Sequence, residues 1–166
     1  MSLCRVCTQL SFRPESTPPP PALVETGGVE YTEFWGPIRR EGLFAGKATG
    51  LGAWISKGIR GIVISLVVHK HACCIDLQFF REERKERRDK ALKLFPVAKY
   101  PRELRDTPKC DYVRFPVLHK GIKDPGHWPE IREKLTSLGA DIYNTLSNSD
   151  VYFYCRIGLE QFQVFV

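Results

Sequence analysis

From Gly58 to Leu94 the chain reads GIRGIVISLVVHKHACCIDLQFFREERKERRDKALKL, and this stretch restricts the possible folds more than any other. Ile62, Ile64, Leu66 and Val68 alternate with Val63, Ser65, Val67 and His69. Both faces are therefore largely apolar, and β-branched residues dominate, which predicts a central strand covered on both sides. Lys70, His71 and Ala72 form a turn, after which Cys74, Asp76, Gln78 and Phe80 share one face and Cys73, Ile75, Leu77 and Phe79 the other. Either the second strand is half solvated, or Asp76 and Gln78 line a polar site. From Arg81 the pattern turns wholly charged, with Glu83 and Arg87, and Glu86 and Lys90, in the favourable i,i+4 order. This predicts a helix over 81–95 that starts in solvent and docks only through Ala91, Leu92, Leu94 and Phe95.

At 19.0 kDa the chain is of single-domain size and long enough to bury a substantial core. No run approaches the roughly 18 apolar residues of a membrane span, and Met1 to Leu10 lacks the basic start and apolar core of a signal peptide. The expectation is a cytoplasmic protein whose six cysteines are free thiols or metal ligands rather than disulfides. The net charge of +6 is concentrated, because residues 81–109 hold eleven Lys and Arg against six Asp and Glu. A solvated helix face accounts for such a run; so does a phosphate-binding surface formed by Arg81, Arg84, Lys85, Arg87, Arg88 and Lys90.

Residues 1–28 form an N-terminal extension with the pair Cys4 and Cys7 and a polyproline run, Pro18 to Pro21, and residues 29–166 form one domain. Tyr31, Phe34, Trp35 and Ile38 predict a helix over Val29–Arg40, kinked or ended by Pro37. The glycine-rich stretch Glu41–Ser56 is read as a loop pinned by Leu43, Phe44, Trp54 and Ile55; its glycine spacing matches no phosphate-binding loop. Pro96, Pro101 and Pro108 punctuate a basic connection, and Tyr112–Leu118 is a strand in which Pro116 requires an edge or a bulge. Asp124, Pro125 and Gly126 turn into a helix over 128–147. Its stripe is Trp128, Ile131, Leu135, Leu138, Ile142 and Leu146, with Pro129 at its start. Val151–Val166 reads as two short strands about Gly158.

The residues raise three possible chemistries. Cys4 and Cys7 have ligand spacing, and His69, His71, Cys73 and the adjacent Cys74 crowd one turn, so zinc is an alternative to free thiols and solvated histidines. Asp76 sits where a metal-dependent nuclease of the PD-(D/E)xK kind carries an acid, and Glu33 or Asp111 would be the second Mg²⁺ ligand. Gln78 stands where such an enzyme needs lysine, so Asp76 is read as a surface residue and the chain as no enzyme. No Gly-x-Ser-x-Gly elbow and no recognisable catalytic cysteine occur.

Phe34-Trp35, Leu43-Phe44, Trp54 followed by Gly58 and Gly61, the strands GIVISLVV and CIDLQFF, and Asp124 to Trp128 before an amphipathic helix have a familiar spacing. Over about Val29 to Leu146 they resemble the bacterial domain of unknown function 4268. The resemblance implies a module found C-terminal to a restriction-type nuclease half, with no activity of its own. This chain departs from that arrangement, since 28 residues are too few for such a half.

The expected fold is α+β: a mainly antiparallel sheet centred on the hairpin 59–80, covered by two or three helices including 81–95 and 128–147. The expected function is a non-catalytic nucleic-acid-associated accessory module of restriction or defence nucleases, without a cofactor. The alternatives are a subunit docking on a larger, nuclease-like protein through Phe153, Phe162, Phe165 and Val166, or the nuclease itself with Mg²⁺.

Overall fold

A computed structural model describes residues 28–50, 52–80 and 83–149. The Cys4 and Cys7 pair, Arg81 and the aromatic stretch 151–166 lie outside the described residues.

The central hairpin forms as its alternation predicts. Strand β3 (Ile62–Val68) pairs antiparallel with β4 (Cys73–Phe80), Ile64 opposite Leu77 and Ser65 opposite Asp76. On one side it is flanked by β2 (Trp54–Ile59) and the two-residue β1 (Thr49–Gly50), on the other by β6 (Cys110–Leu118) and β5 (Glu103–Asp106). The six strands run in the order β1-β2-β3-β4-β6-β5, every neighbouring pair antiparallel. With three α-helices among the described residues, the fold is α+β, as the sequence indicates.

Three strands were hidden from the pattern. Within the stretch read as a loop lie β1 and the first residues of β2, Trp54 and Ile55, and the proline-punctuated connection contains β5. All four residues of β5 are exposed, so no apolar alternation marks it. Pro116 sits beyond the last β5 pair, Glu103 with Arg114, at a register shift opposite Cys73 and Cys74. This is the edge and bulge position that its missing N–H requires.

Helix α1 (Val29–Arg40) keeps Pro37 inside and buries Phe34, Trp35 and Ile38; the Trp35 indole N–H donates to the Gly52 carbonyl at 2.6 Å. A 3₁₀ turn at Pro125–His127 leads into α3 (Trp128–Ser147), which lays Ile131, Leu135, Ile142 and Leu146 on the sheet. It comes close because Gly139 has no side chain: a Cβ there would lie 2.9 Å from Leu66 Cδ2. Lys57 reaches from β2 to the Leu43 carbonyl and stands 5.2 Å above the Tyr143 ring of α3.

Helix α2 (Arg84–Leu92) docks differently from the sequence expectation. Ala91 and the following Phe95 are buried as foreseen, but so are Arg87 and Arg88 in its middle, 6% and 5% exposed. The helix therefore anchors through paired arginines as well as through its apolar end.

Candidate functional site

Strand alternation gives the sheet two different faces. Ile55, Ile64, Leu66, Ile75, Leu77, Val113 and Phe115 point towards the helices and form the core. The other face carries, in register, Ser56, Ser65, Asp76, Arg114 and Glu103, one from each of five strands. The rows beside it hold Trp54, Val67 and Cys74, and Gly58, Val63, Gln78, Tyr112 and Arg105. Among the described residues no helix packs there, so β3 is covered by helices on one side only. Both faces of β3 are nonetheless buried, with Ser65 at 0% and Val67 at 6% exposure on the side away from the helices, as expected of a covered central strand.

A hollow of about 430 Å³ opens on this face. Asp76, Gln78 and Val67 lie in its central strands; Trp54 stands on the β2 side, Tyr112, Arg114, Arg105 and Thr107 on the β6 and β5 side, and His69 at one end. Arg114 Nε and Nη2 donate to the two carboxylate oxygens of Asp76 at 2.8 and 2.7 Å. Gln78 Nε2 donates to Ser65 Oγ at 2.8 Å, and Ser65 and Ser56 share a hydrogen bond of 2.8 Å. The polar residues of the central strands are thus fixed before any ligand arrives.

The electrostatics follow from that ion pair. Asp76 holds the Arg114 guanidinium protonated against its partial burial. Partial burial of the ring, and then Arg114, lower the pKa of His69 below that of a free imidazole. The Tyr112 hydroxyl is pushed up by burial and by Cys110. Burial pushes the Cys74 thiol to about 12, with the Asp76 carboxylate adding to it.

Asp76 and Gln78, the residues on which an enzyme would depend, do line one polar site. Asp76 is nevertheless no surface residue: it is 4% exposed and neutralised by Arg114. Neither acid suggested as its metal-binding partner joins it. Glu33 is exposed on α1, and Asp111 belongs to the helix-covered face, where Arg84 meets it at 3.0 Å and Arg88 at 3.4 Å.

The described members of the zinc grouping face in different directions. His69 and His71 are exposed in the β3–β4 turn, whereas Cys73 points into the core and burial pushes its thiol to about 11. Among the described residues no three His, Cys, Asp or Glu side chains gather as metal ligands.

The basic residues of α2 divide by direction. Arg87 donates to the Phe80 and Gly61 carbonyls, and Arg88 bonds Asp106 at 2.5 Å besides Asp111 and Asp89. Arg84 also donates to the Pro108 carbonyl at 3.0 Å. These three arginines hold α2 to the sheet and to the β5–β6 turn. Lys85 and Lys90 face water, Lys90 paired with Glu86 at 2.7 Å.

Trp54, Tyr112, Arg105 and Arg114 were missed as site residues. The signal for two of them was present, since Tyr112 and Arg114 are the residues of their strand that alternate with Val113 and Phe115. A second hollow of about 490 Å³ lies between α1 and α3, beside Ile38, Phe44 and Ala140. Glu41, Arg132, Glu133, Thr136 and Ser137 share its lining, but no polar pair like Asp76 with Arg114 is fixed across it.

No family model matches the chain, and neither curated proteins nor solved structures yield a match. Among the described residues no helix is long and apolar enough to cross a membrane.

Proposed function

We propose that this chain is a non-catalytic nucleic-acid-binding accessory module that takes single strands on its open sheet face. The observation that carries the reading is the composition of that face: aromatic side chains at Trp54, Tyr112 and the exposed Phe80, interleaved with Arg105 and Arg114 around preset polar groups. Unpaired bases stack on aromatic rings, and guanidinium groups meet phosphates or base edges. The basic excess of residues 81–109 supplies long-range attraction through Lys85, Lys90 and Lys109 rather than through the arginines held inward.

A Mg²⁺ nuclease is disfavoured by the same geometry, because the one acid in the hollow's central strands is already bonded to an arginine. The nuclease neighbourhood suggested by the resemblance to the domain of unknown function 4268 supports an accessory role beside such an enzyme. A larger nuclease-like protein is accordingly the expected protein partner.

The test is fluorescence anisotropy with labelled single-stranded DNA and RNA from low to moderate salt. Affinity is expected to fall linearly on a log–log plot against salt, since bound phosphates release counterions. Arg105→Glu should weaken binding more than Arg88→Met. Folded protein that binds neither strand at low salt sinks the proposal, and cleavage dependent on Mg²⁺ or Mn²⁺ replaces it with the nuclease reading.

A further inference from the structure

We infer that the hollow between Trp54 and Tyr112 is a pocket for one unstacked nucleobase. This rests on the single-strand reading above for how the base arrives, and it adds where the base goes.

Three observations converge. The volume of about 430 Å³ falls within the roughly 300–1,000 Å³ usual for small-ligand sites. Trp54 stands on β2 in the row of Val67 and Cys74, and Tyr112 on β6 in the row of Gln78, so they mark diagonally opposite corners of the hollow, three strand spacings of ~4.8 Å apart across the sheet and four residues apart along it. A planar ring system can lie against the Trp54 indole at one corner, with its sugar towards the opening.

The polar groups between them remain available in a fixed way. Arg114 spends Nε and Nη2 on Asp76, leaving Nη1 with no bond to a described residue. Gln78 spends its amide nitrogen on Ser65, leaving its carbonyl oxygen in the same position. A donor and an acceptor on side chains that line the hollow, both held by buried partners, match the mixed donor and acceptor edge of a base. Sugars offer donors and acceptors too, but no flat π-face for the indole. Asp76 beneath Arg114 also lowers the site's attraction for a bare phosphate.

The experiment follows intrinsic tryptophan fluorescence during titration with adenosine monophosphate, cytidine monophosphate and, as the base-free control, ribose 5-phosphate. Eight-residue oligonucleotides, read by anisotropy, form the second arm. Saturable quenching by a mononucleotide but not by ribose 5-phosphate is expected. About tenfold or greater weakening is expected in Trp54→Ala and smaller weakening in Trp54→Phe, which keeps a ring to stack on. Gln78→Ala, checked for folding by circular dichroism, should also weaken it.

Equal responses to mononucleotide and ribose 5-phosphate, or none to either, overturn the pocket. Oligonucleotide binding that is indifferent to Trp54→Ala and Gln78→Ala overturns the pocket and leaves the single-strand reading standing. Mononucleotide binding without oligonucleotide binding does the reverse: the pocket holds a free nucleotide and the single-strand reading falls.

Discussion

Arg114 grips Asp76 through two parallel hydrogen bonds of 2.8 and 2.7 Å across the β4–β6 ladder, on a face where no described helix shields either residue. Removing one partner of a buried pair strands the other. Asp76→Ala should therefore cost about 3 kcal/mol by urea unfolding. The double variant Asp76→Leu with Arg114→Met should recover much of that loss, because it leaves no lone charge. A cost for Asp76→Ala no larger than that of an exposed substitution would show that the pair opens in solution.

On α2, two basic residues only two positions apart should behave as different classes of residue. Arg88 is 5% exposed and bonds Asp106 and Asp111, so Arg88→Ala should lose about 3 kcal/mol. Lys90 faces water, and Lys90→Ala should leave the unfolding midpoint unchanged. Comparable losses for both would mean that the helix is not held through its arginines.

Gly121 is a packing requirement. Ile122 and Lys123 donate backbone N–H groups to the His69 and Lys70 carbonyls, and a Cβ on Gly121 would fall 2.2 Å from the His69 carbonyl oxygen. Neither backbone can yield cheaply, so Gly121→Ala should cost about 1–3 kcal/mol and disturb the His69 end of the hollow. Thermal unfolding beside Gly126→Ala, which meets nothing within 4 Å, isolates the effect.

The thiols of Cys73 and Cys74 are raised by burial to about 11 and about 12, against 9.0 for an open thiol. Both groups ionise more easily in the unfolded chain. Their contribution to stability is therefore whole below pH 9 and declines as pH rises from 9 towards 12. Alkylation at pH 8 followed by mass spectrometry should leave both unmodified in folded protein and modify both in denaturant. Labelling in the native state would contradict their placement.

Legibility in the sequence tracked periodicity. The hairpin, α1 and α3 were plain, because apolar residues repeat at two or at three and four, and each repeat marks a buried stripe. Strand β5 was invisible: Glu103, Leu104, Arg105 and Asp106 are all exposed, and only pairing with β6 makes them a strand. Asp76 was misjudged for a related reason. A polar residue alternating with Ile75 and Leu77 looks solvated until its cross-strand neighbour is known, and Arg114 lies 38 positions further along the chain. The arginines of α2 misled in the same manner, since charge on a helix implies water only when no acid from elsewhere faces it.

The strand order also bears on how the sheet assembles. From β1 to β4 each strand pairs with its successor in the chain, and β5 pairs with β6, so these contacts close over short turns. The pairing of β4 with β6 alone must span α2 and β5, and it alone carries the larger entropy of loop closure. That seam joins two locally formed halves, and it is stitched by Asp76 with Arg114 on one side of the sheet and braced by Arg88 with Asp111 on the other. The residues that line the hollow come from both halves, Trp54, Val67, Asp76 and Gln78 from one and Arg105, Tyr112 and Arg114 from the other, so the hollow exists only where the two halves of the sheet meet.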